Sequence, residues 1–218
     1  MPKLRVRLSL LISAVFLSAA SFGQTGKVES IGPLTDAAVP EAVRQALQPN
    51  GSRLTFEDGK PAAEIWLSKS APASDRKDPE TLYRQMTESE LIGIISFPSA
   101  TTDFRGQAIR PGFYTLRYES LPTNGDHLGV APAPDFVLAV PAGADTNPAA
   151  KYGFEELVSL SRKTTGTKHP APLSMVQAGS PSSFAKDDQG HWVFSGKLAL
   201  AGGTELPIGI VVKGTAPQ

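Results

Sequence analysis

The 218-residue chain contains no cysteine. That excludes disulfides, thiolate metal sites and a lipid anchor carried on a cysteine, so the folded protein must rest on its core. Charge of one sign is missing too. Lys and Arg number 21 and so do Asp and Glu, with no basic block anywhere. Nucleic-acid binding, which draws on a concentrated positive surface, therefore has no electrostatic support. Only one long apolar run exists, and it lies at the N-terminus; nothing downstream has the roughly 20 apolar residues of a membrane-spanning helix. Common catalytic signatures are absent as well. The chain has no G-x-S-x-G elbow, no G-x-x-x-x-G-K-[ST] loop, no H-E-x-x-H and no G-x-G-x-x-G after a strand. The usual α/β-hydrolases, P-loop NTPases, zinc proteases and dinucleotide enzymes lose their support.

The N-terminus itself is informative. Lys3, Arg5 and Arg7 precede an uncharged apolar stretch from Leu8 to Leu17, followed by the small residues Ser18, Ala19, Ala20, Ser21 and Gly23. This is the pattern of a secretory signal peptide over residues 1–23. Cleavage after Gly23 or after Ala20 satisfies the small-residue rule, and Gly23 leaves the more usual spacing. Export without cysteine points to a bacterial periplasmic or secreted protein. Loss of the three leader cations leaves 18 basic against 21 acidic residues, a net charge of −3. About 195 residues remain, enough for one sizeable core, so residues 24–218 are expected to form a single domain with 24–50 as lead-in and short helix.

The mature chain alternates apolar and polar residues in short runs separated by turn residues. Arg53–Phe56 and Ala62–Ser68 flank Asp58-Gly59 and read as a hairpin. LIGIISF (91–97) is apolar on both faces and reads as a strand covered on both sides. FYTLRY (113–118) places Tyr114, Leu116 and Tyr118 on one face and Phe113, Thr115 and Arg117 on the other. Strands are further expected at 135–142, 172–177, 191–200 and 205–214, the last two joined by Gly202-Gly203. Short helices are expected at 40–47, at 78–89 behind Asp78-Pro79, and within 147–166, where Phe154, Leu157, Val158 and Ser161 face inward and Gly166 stops the helix. The fold class that follows is mainly β: a β-sandwich of about eight to ten short, mostly antiparallel strands with two or three short helices.

Candidate chemistry concentrates in few places. There are three histidines, His127, His169 and His191. His127 and His169 could meet at one end of the sandwich with Asp126 or Asp135 and hold a divalent metal; alternatively each imidazole hydrogen-bonds loop backbone. His191 is expected at the solvent edge of its strand. Ser161, Thr164 and Thr165 lie near His169 in sequence, but nothing in the spacing marks a nucleophile. Arg117, Tyr118, Asp126 and His127 are candidate ligand-binding residues. If the Phe113–Arg117 face is exposed, it offers an aromatic ring and a guanidinium to a glycan or peptide; if it is covered, Phe113 packs and Arg117 snorkels over it.

IRPGFYTLRY resembles the x-PG-x-Y-x-L hairpin of transthyretin-like and carboxypeptidase-regulatory-like β-sandwich domains, with Pro111-Gly112, Tyr114 and Leu116 at the matching positions. The resemblance implies that Tyr114 and Leu116 face the core. More widely, IRPGFYTLRY, GDHLGVAP, DFVLAVPA, SRKTTGTKHPA and LPIGIVV, over about residues 91–213, resemble an exported bacterial family of uncharacterised proteins. That resemblance brings no catalytic residue. The expected function is a binding or accessory module at the cell envelope, its partner an unknown small molecule, glycan or envelope protein, with no cofactor. The alternative is a metal-binding protein or metal-dependent enzyme built on His127, His169 and a nearby carboxylate.

Overall fold

A computed structural model describes residues 25–74, 81–121 and 134–215. Among them run twelve strands: β1 (Lys27–Ile31), β2 (Gly51–Thr55), β3 (Pro61–Leu67), β4 (Leu91–Phe97), β5 (Thr101–Thr102), β6 (Ala108–Ile109), β7 (Gly112–Ser120), β8 (Asp135–Pro141), β9 (Pro172–Val176), β10 (Ser183–Lys186), β11 (Trp192–Ala199) and β12 (Glu205–Lys213). The helices are α1 (Glu41–Gln45) and α2 (Phe154–Thr165), with a single 3-10 turn at Ala142–Ala144. The fold is mainly β. No described helix is long and apolar enough to cross a membrane.

Ten strands form one sheet in the order β1-β2-β3-β4-β7-β8-β9-β12-β11-β10, and every neighbouring pair is antiparallel. β5 and β6 form a separate two-stranded ribbon. The large sheet curls until its ends meet. Thr25 bridges Ala185, and the Gly26 N–H donates to the Phe184 carbonyl at 2.7 Å. The facing halves expected of a sandwich thus belong to a single near-barrel, which leaves little free edge. Residues 24–34, read from sequence as a polar lead-in, supply the closing edge strand β1. Its partly exposed pattern is what a strand with one solvated face shows.

The interior is one apolar cluster that includes Leu54, Ile65, Ile95, Leu116, Tyr118, Val137, Leu173, Phe194 and Ile210. Tyr114 and Leu116 face it, on the side that the two-residue period assigns to them. The outer face is covered in patches. Val39, Val43 and Leu47 around α1 pack on Trp66, Leu91 and Ile94. Leu157 and Val158 of α2 pack on Phe136, Leu138 and Val140. Phe104 packs on Val193 and Val211. These patches explain why β4 reads as apolar on both faces and why β8 is buried on both. One patch depends on a glycine. A Cβ at Gly51 would lie 2.4 Å from Trp66 Nε1, so only glycine lets the indole lie across β2.

The helix expected at 78–89 is not found over its described part, where residues 81–90 run as turns. The reason is long-range. The buried Asp135 carboxylate accepts from the Leu82 and Tyr83 N–H groups at 2.8 and 3.2 Å, and these donors hold the segment against the barrel. Tyr83 and Met86 of this segment are buried, but Leu82, which a helix would set on the same apolar stripe, is exposed.

Candidate functional site

The sequence-selected residues separate into three groups. Asp126 and His127 lie outside the described residues. Arg117 and Tyr118, both candidate ligand-binding residues, are completely buried, so of the two readings of the Phe113–Arg117 face the covered one holds, and no guanidinium is offered to a ligand there. After β8 the chain crosses the outer face of β7 and lays Asp145, Asn147 and Ala150 over Arg117. The guanidinium Nε and Nη2 donate to Asp145 Oδ2 and Oδ1, both at 2.7 Å. Its remaining N–H groups go to the carbonyls of Asn147 at 2.8 Å, Ser89 at 3.0 Å and Ala150 at 3.0 Å. Asp145 also accepts from Thr115 Oγ1 at 2.7 Å and the Tyr152 hydroxyl at 2.9 Å. A guanidinium with all five donors used is a latch between β7 and its covering loop, with nothing left for a ligand. Tyr118 is equally committed, donating to Asp135 Oδ1 at 2.6 Å inside the wall. Asp135, offered above as a metal partner, serves Tyr118, Leu82 and Tyr83.

The histidines behave differently from one another. His191, expected in solvent, is buried: its Nδ1 lies 3.1 Å from Asp187 Oδ2, its Nε2 lies 3.3 Å from the Thr215 carbonyl, and its ring meets Phe104 edge-on. The Phe104 turn, far away in sequence, covers it. His169 is exposed at the α2–β9 connection. Among the described residues no three His, Asp or Glu side chains gather as a metal site would require. Ser161, Thr164 and Thr165, the hydroxyls considered beside His169, are engaged with backbone. Ser161 Oγ and Thr164 Oγ1 each donate to the Ala139 carbonyl at 2.8 Å, and Ser161 Oγ also accepts from the Ala171 N–H. Neither is placed as a nucleophile.

Those same bonds shape a cleft. They pin the C-terminal half of α2 to the outer face of β8, and Gly166, at φ +67°, ends the helix in a left-handed turn that only glycine adopts readily. Opposite α2, residues 103–107 form a second wall. The Asp103 carboxylate accepts from the N–H groups of Arg105 and Gln107 at 2.9 and 2.7 Å and from Gln107 Nε2 at 2.7 Å. Burial pushes the Asp103 carboxyl above its ordinary value, with the three donors opposing. The turn docks on β9 through the Phe104 N–H to the Pro172 carbonyl, 2.9 Å, and Gln107 Nε2 to the Pro170 carbonyl, 2.8 Å.

Between these walls, over Phe136, Leu138, Pro172 and Ser174, lies a cavity of about 310 Å³. Its surface is mostly apolar, with Phe104, Leu121, Val158 and Phe154 adding to the floor residues. Phe154 was expected in the core. It is instead 47% exposed, one of two large apolar side chains so exposed among the described residues, and it stands at the mouth of the cleft. Arg105, Arg162, His169 and Glu155 supply the charged and titratable rim. On the floor, Ser174 is 1% exposed, and its Oγ is the one buried side-chain polar atom without a hydrogen-bond partner among the described residues. Open grooves of about 440 and 450 Å³ beside Ser195 and beside Lys60 are larger but more polar, and they lack such an orphaned group.

Sequence reasoning reached only His169 of this cleft. Arg105, Leu121, Phe154, Arg162 and Ser174 come from separate segments, and no local pattern joins them. The one usable signal was Ser174 itself, a hydroxyl set between Leu173 and Met175 in an apolar strand. No family model, curated protein or solved structure matches the chain.

Proposed function

We propose that the protein is an exported binding module that takes a small, largely apolar ligand in the cleft between α2, β9 and the 103–107 turn. Export rests on the leader with Lys3, Arg5 and Arg7 ahead of its apolar run. Binding rests on one observation above all: the unpaired Ser174 hydroxyl lies on the floor of a mostly apolar concavity. A buried hydroxyl without a partner costs about 1–3 kcal/mol, and a guest or a water in the cleft offers the missing partner. Concave, mainly apolar sites with a few placed polar groups are the usual form of small-molecule sites, and 310 Å³ falls at the small end of their range of roughly 300–1,000 Å³. A small molecule is favoured over a glycan because the lining is apolar and offers few hydroxyl partners. Binding is favoured over catalysis because Ser161 and Thr164 are bonded to backbone and no described histidine ring is hydrogen-bonded to a hydroxyl.

The test is titration with an environment-sensitive naphthalene sulfonate dye, whose emission rises in apolar surroundings. The mature protein is expected to bind it saturably. Ser174→Leu, which extends a side chain into the cleft, should abolish the signal while leaving the far-ultraviolet circular dichroism unchanged. Equal dye binding by the folded variant would overturn the assignment.

A further inference from the structure

The charges around the cleft say more about its guest, and the step rests on the binding role just proposed. Arg105 and Arg162 stand on opposite walls, one on the 103–107 turn and one in the last turn of α2. Neither makes an ion pair with a described carboxylate. The 103–107 turn is bonded to Pro170 and Pro172, and His169 is the residue before Pro170. The topology therefore gathers Arg105, Arg162 and His169 around one end of the cleft. Glu155 lies seven residues before Arg162 on α2, about 10 Å away along the helix. Near it are Phe154 and, on the floor, Phe136. The cleft is thus basic at the β9 entry and apolar toward the start of α2.

We infer that the guest is a short, single-chain carboxylate amphiphile, its anion held by Arg105 and Arg162 and its chain lying over Phe136, Leu138 and Phe154. Geometry selects the head group. A guanidinium matches a carboxylate by presenting two parallel N–H donors to its two oxygens. Asp103, whose charge Arg105 already feels, and Glu155 on α2 leave no surplus positive charge for a dianion beside apolar walls. The size of the cavity selects the tail. About 310 Å³ suits one short chain and has no room for the paired chains of a membrane lipid. The guest is therefore a free monocarboxylate rather than a lipid drawn from a bilayer.

The experiment is calorimetric titration of the mature protein with hexanoate, octanoate, 1-octanol and octyl phosphate, all below micelle-forming concentrations. Octanoate is expected to bind about tenfold more tightly than octanol, since a charge-assisted bond at a partly exposed rim contributes near the low end of its range of roughly 1.5–3 kcal/mol. Octanoate should exceed hexanoate by about fourfold per methylene, or roughly 15-fold. Arg105→Gln with Arg162→Gln should remove the preference for acid over alcohol, and paired Lys replacements should restore part of it. Equal binding of octanoate and octanol would overturn the carboxylate assignment while the apolar cleft stands. Tighter binding of octyl phosphate would overturn it in favour of a dianion. No binding of any of the four, or binding undiminished in Ser174→Leu, would remove the cleft assignment as well.

Discussion

The sharpest prediction concerns Asp145, because its surroundings allow the cost of changing it to be worked out. Asp145→Asn preserves shape but removes the charge that balances Arg117, and both side chains are wholly buried. The carboxylate accepts four hydrogen bonds, two from Arg117 and one each from Thr115 and Tyr152. An amide keeps one acceptor atom and turns an N–H₂ toward donors. Arg117 cannot lose its proton, so it remains as a buried cation held only by carbonyls. Breaking a buried pair from one side costs about 3–5 kcal/mol. For a domain of this size each kcal/mol lowers Tm by roughly 2–4 °C, so a fall of about 6–20 °C is expected. The assay is urea denaturation followed by Trp66 and Trp192 fluorescence, comparing midpoints at a constant slope. The double variant R117M/D145L distinguishes a coupled pair from two independent sites. It removes both charges but strands the Ser89, Asn147 and Ala150 carbonyls and takes the acceptor from the Thr115 and Tyr152 hydroxyls, so at about 1 kcal/mol per group it should remain less stable than wild type by about 5 kcal/mol. That is below the sum of the losses of Arg117→Met and Asp145→Leu taken singly, about 6–10 kcal/mol. A loss under about 1 kcal/mol for Asp145→Asn, or strict additivity in the cycle, would refute the role of this pair in holding the 145–152 loop.

Other expectations follow from the same structure. Ser174→Ala removes an unpaired hydroxyl and should raise stability by about 1 kcal/mol in thermal melts while weakening dye binding; a loss of stability would mean that the hydroxyl is satisfied. Tyr83 accepts from the Gly209 N–H at 2.8 Å and donates to the Val176 carbonyl at 2.5 Å, and burial pushes its hydroxyl up to about 12 from an ordinary 10. A raised folded value favours the protonated form, so this contribution is complete below pH 10 and is lost as pH climbs toward 12. Wild type should therefore lose about 2–3 kcal/mol across that window in denaturant midpoints, and Tyr83→Phe should show a shallower decline. Gly51→Ala drives a methyl into the Trp66 ring and should cost at least 1–3 kcal/mol, read from the same unfolding curves. Mass spectrometry of the protein recovered from the periplasm or medium of an expressing bacterium should give a chain that begins at Gln24; a start at Ser21 would place the cleavage after Ala20, and an intact Met1 chain confined to the cells would overturn the proposed export.

Much of the architecture was legible because its causes are local. Gly202-Gly203 and Asp58-Gly59 set hairpins wherever alternating residues flanked them. Tyr114, Leu116 and Tyr118 turned to the interior because a two-residue period leaves no other choice once one face is buried. Gly166 ended α2 because a left-handed residue was needed there. The failures have equally definite causes. The 81–90 segment has helical spacing, but Asp135, more than fifty residues away, takes its N–H groups. Arg117 looked like a surface cation because nothing in FYTLRY indicates that Asp145 will fold over it. His191 looked solvated because Phe104, which covers it, is nearly ninety residues earlier.

The sequence by itself determined the mainly β character, the strand pairing by hairpins and the absence of thiol chemistry, because turn residues, two-residue periodicity and composition act over a few residues. Tertiary structure alone decided that the sheet closes on itself through Thr25 and Ala185, that Arg117 is a latch and not a binding group, and that a cleft exists at all. Its walls come from residues 104–105, 121, 136–138, 154–162 and 169–174, and its cationic rim appears only when the fold brings Arg105 and Arg162 to one cavity. Such a site has no local signature, because the relative placement of α2, β9 and the 103–107 turn is set by the packing of the whole barrel.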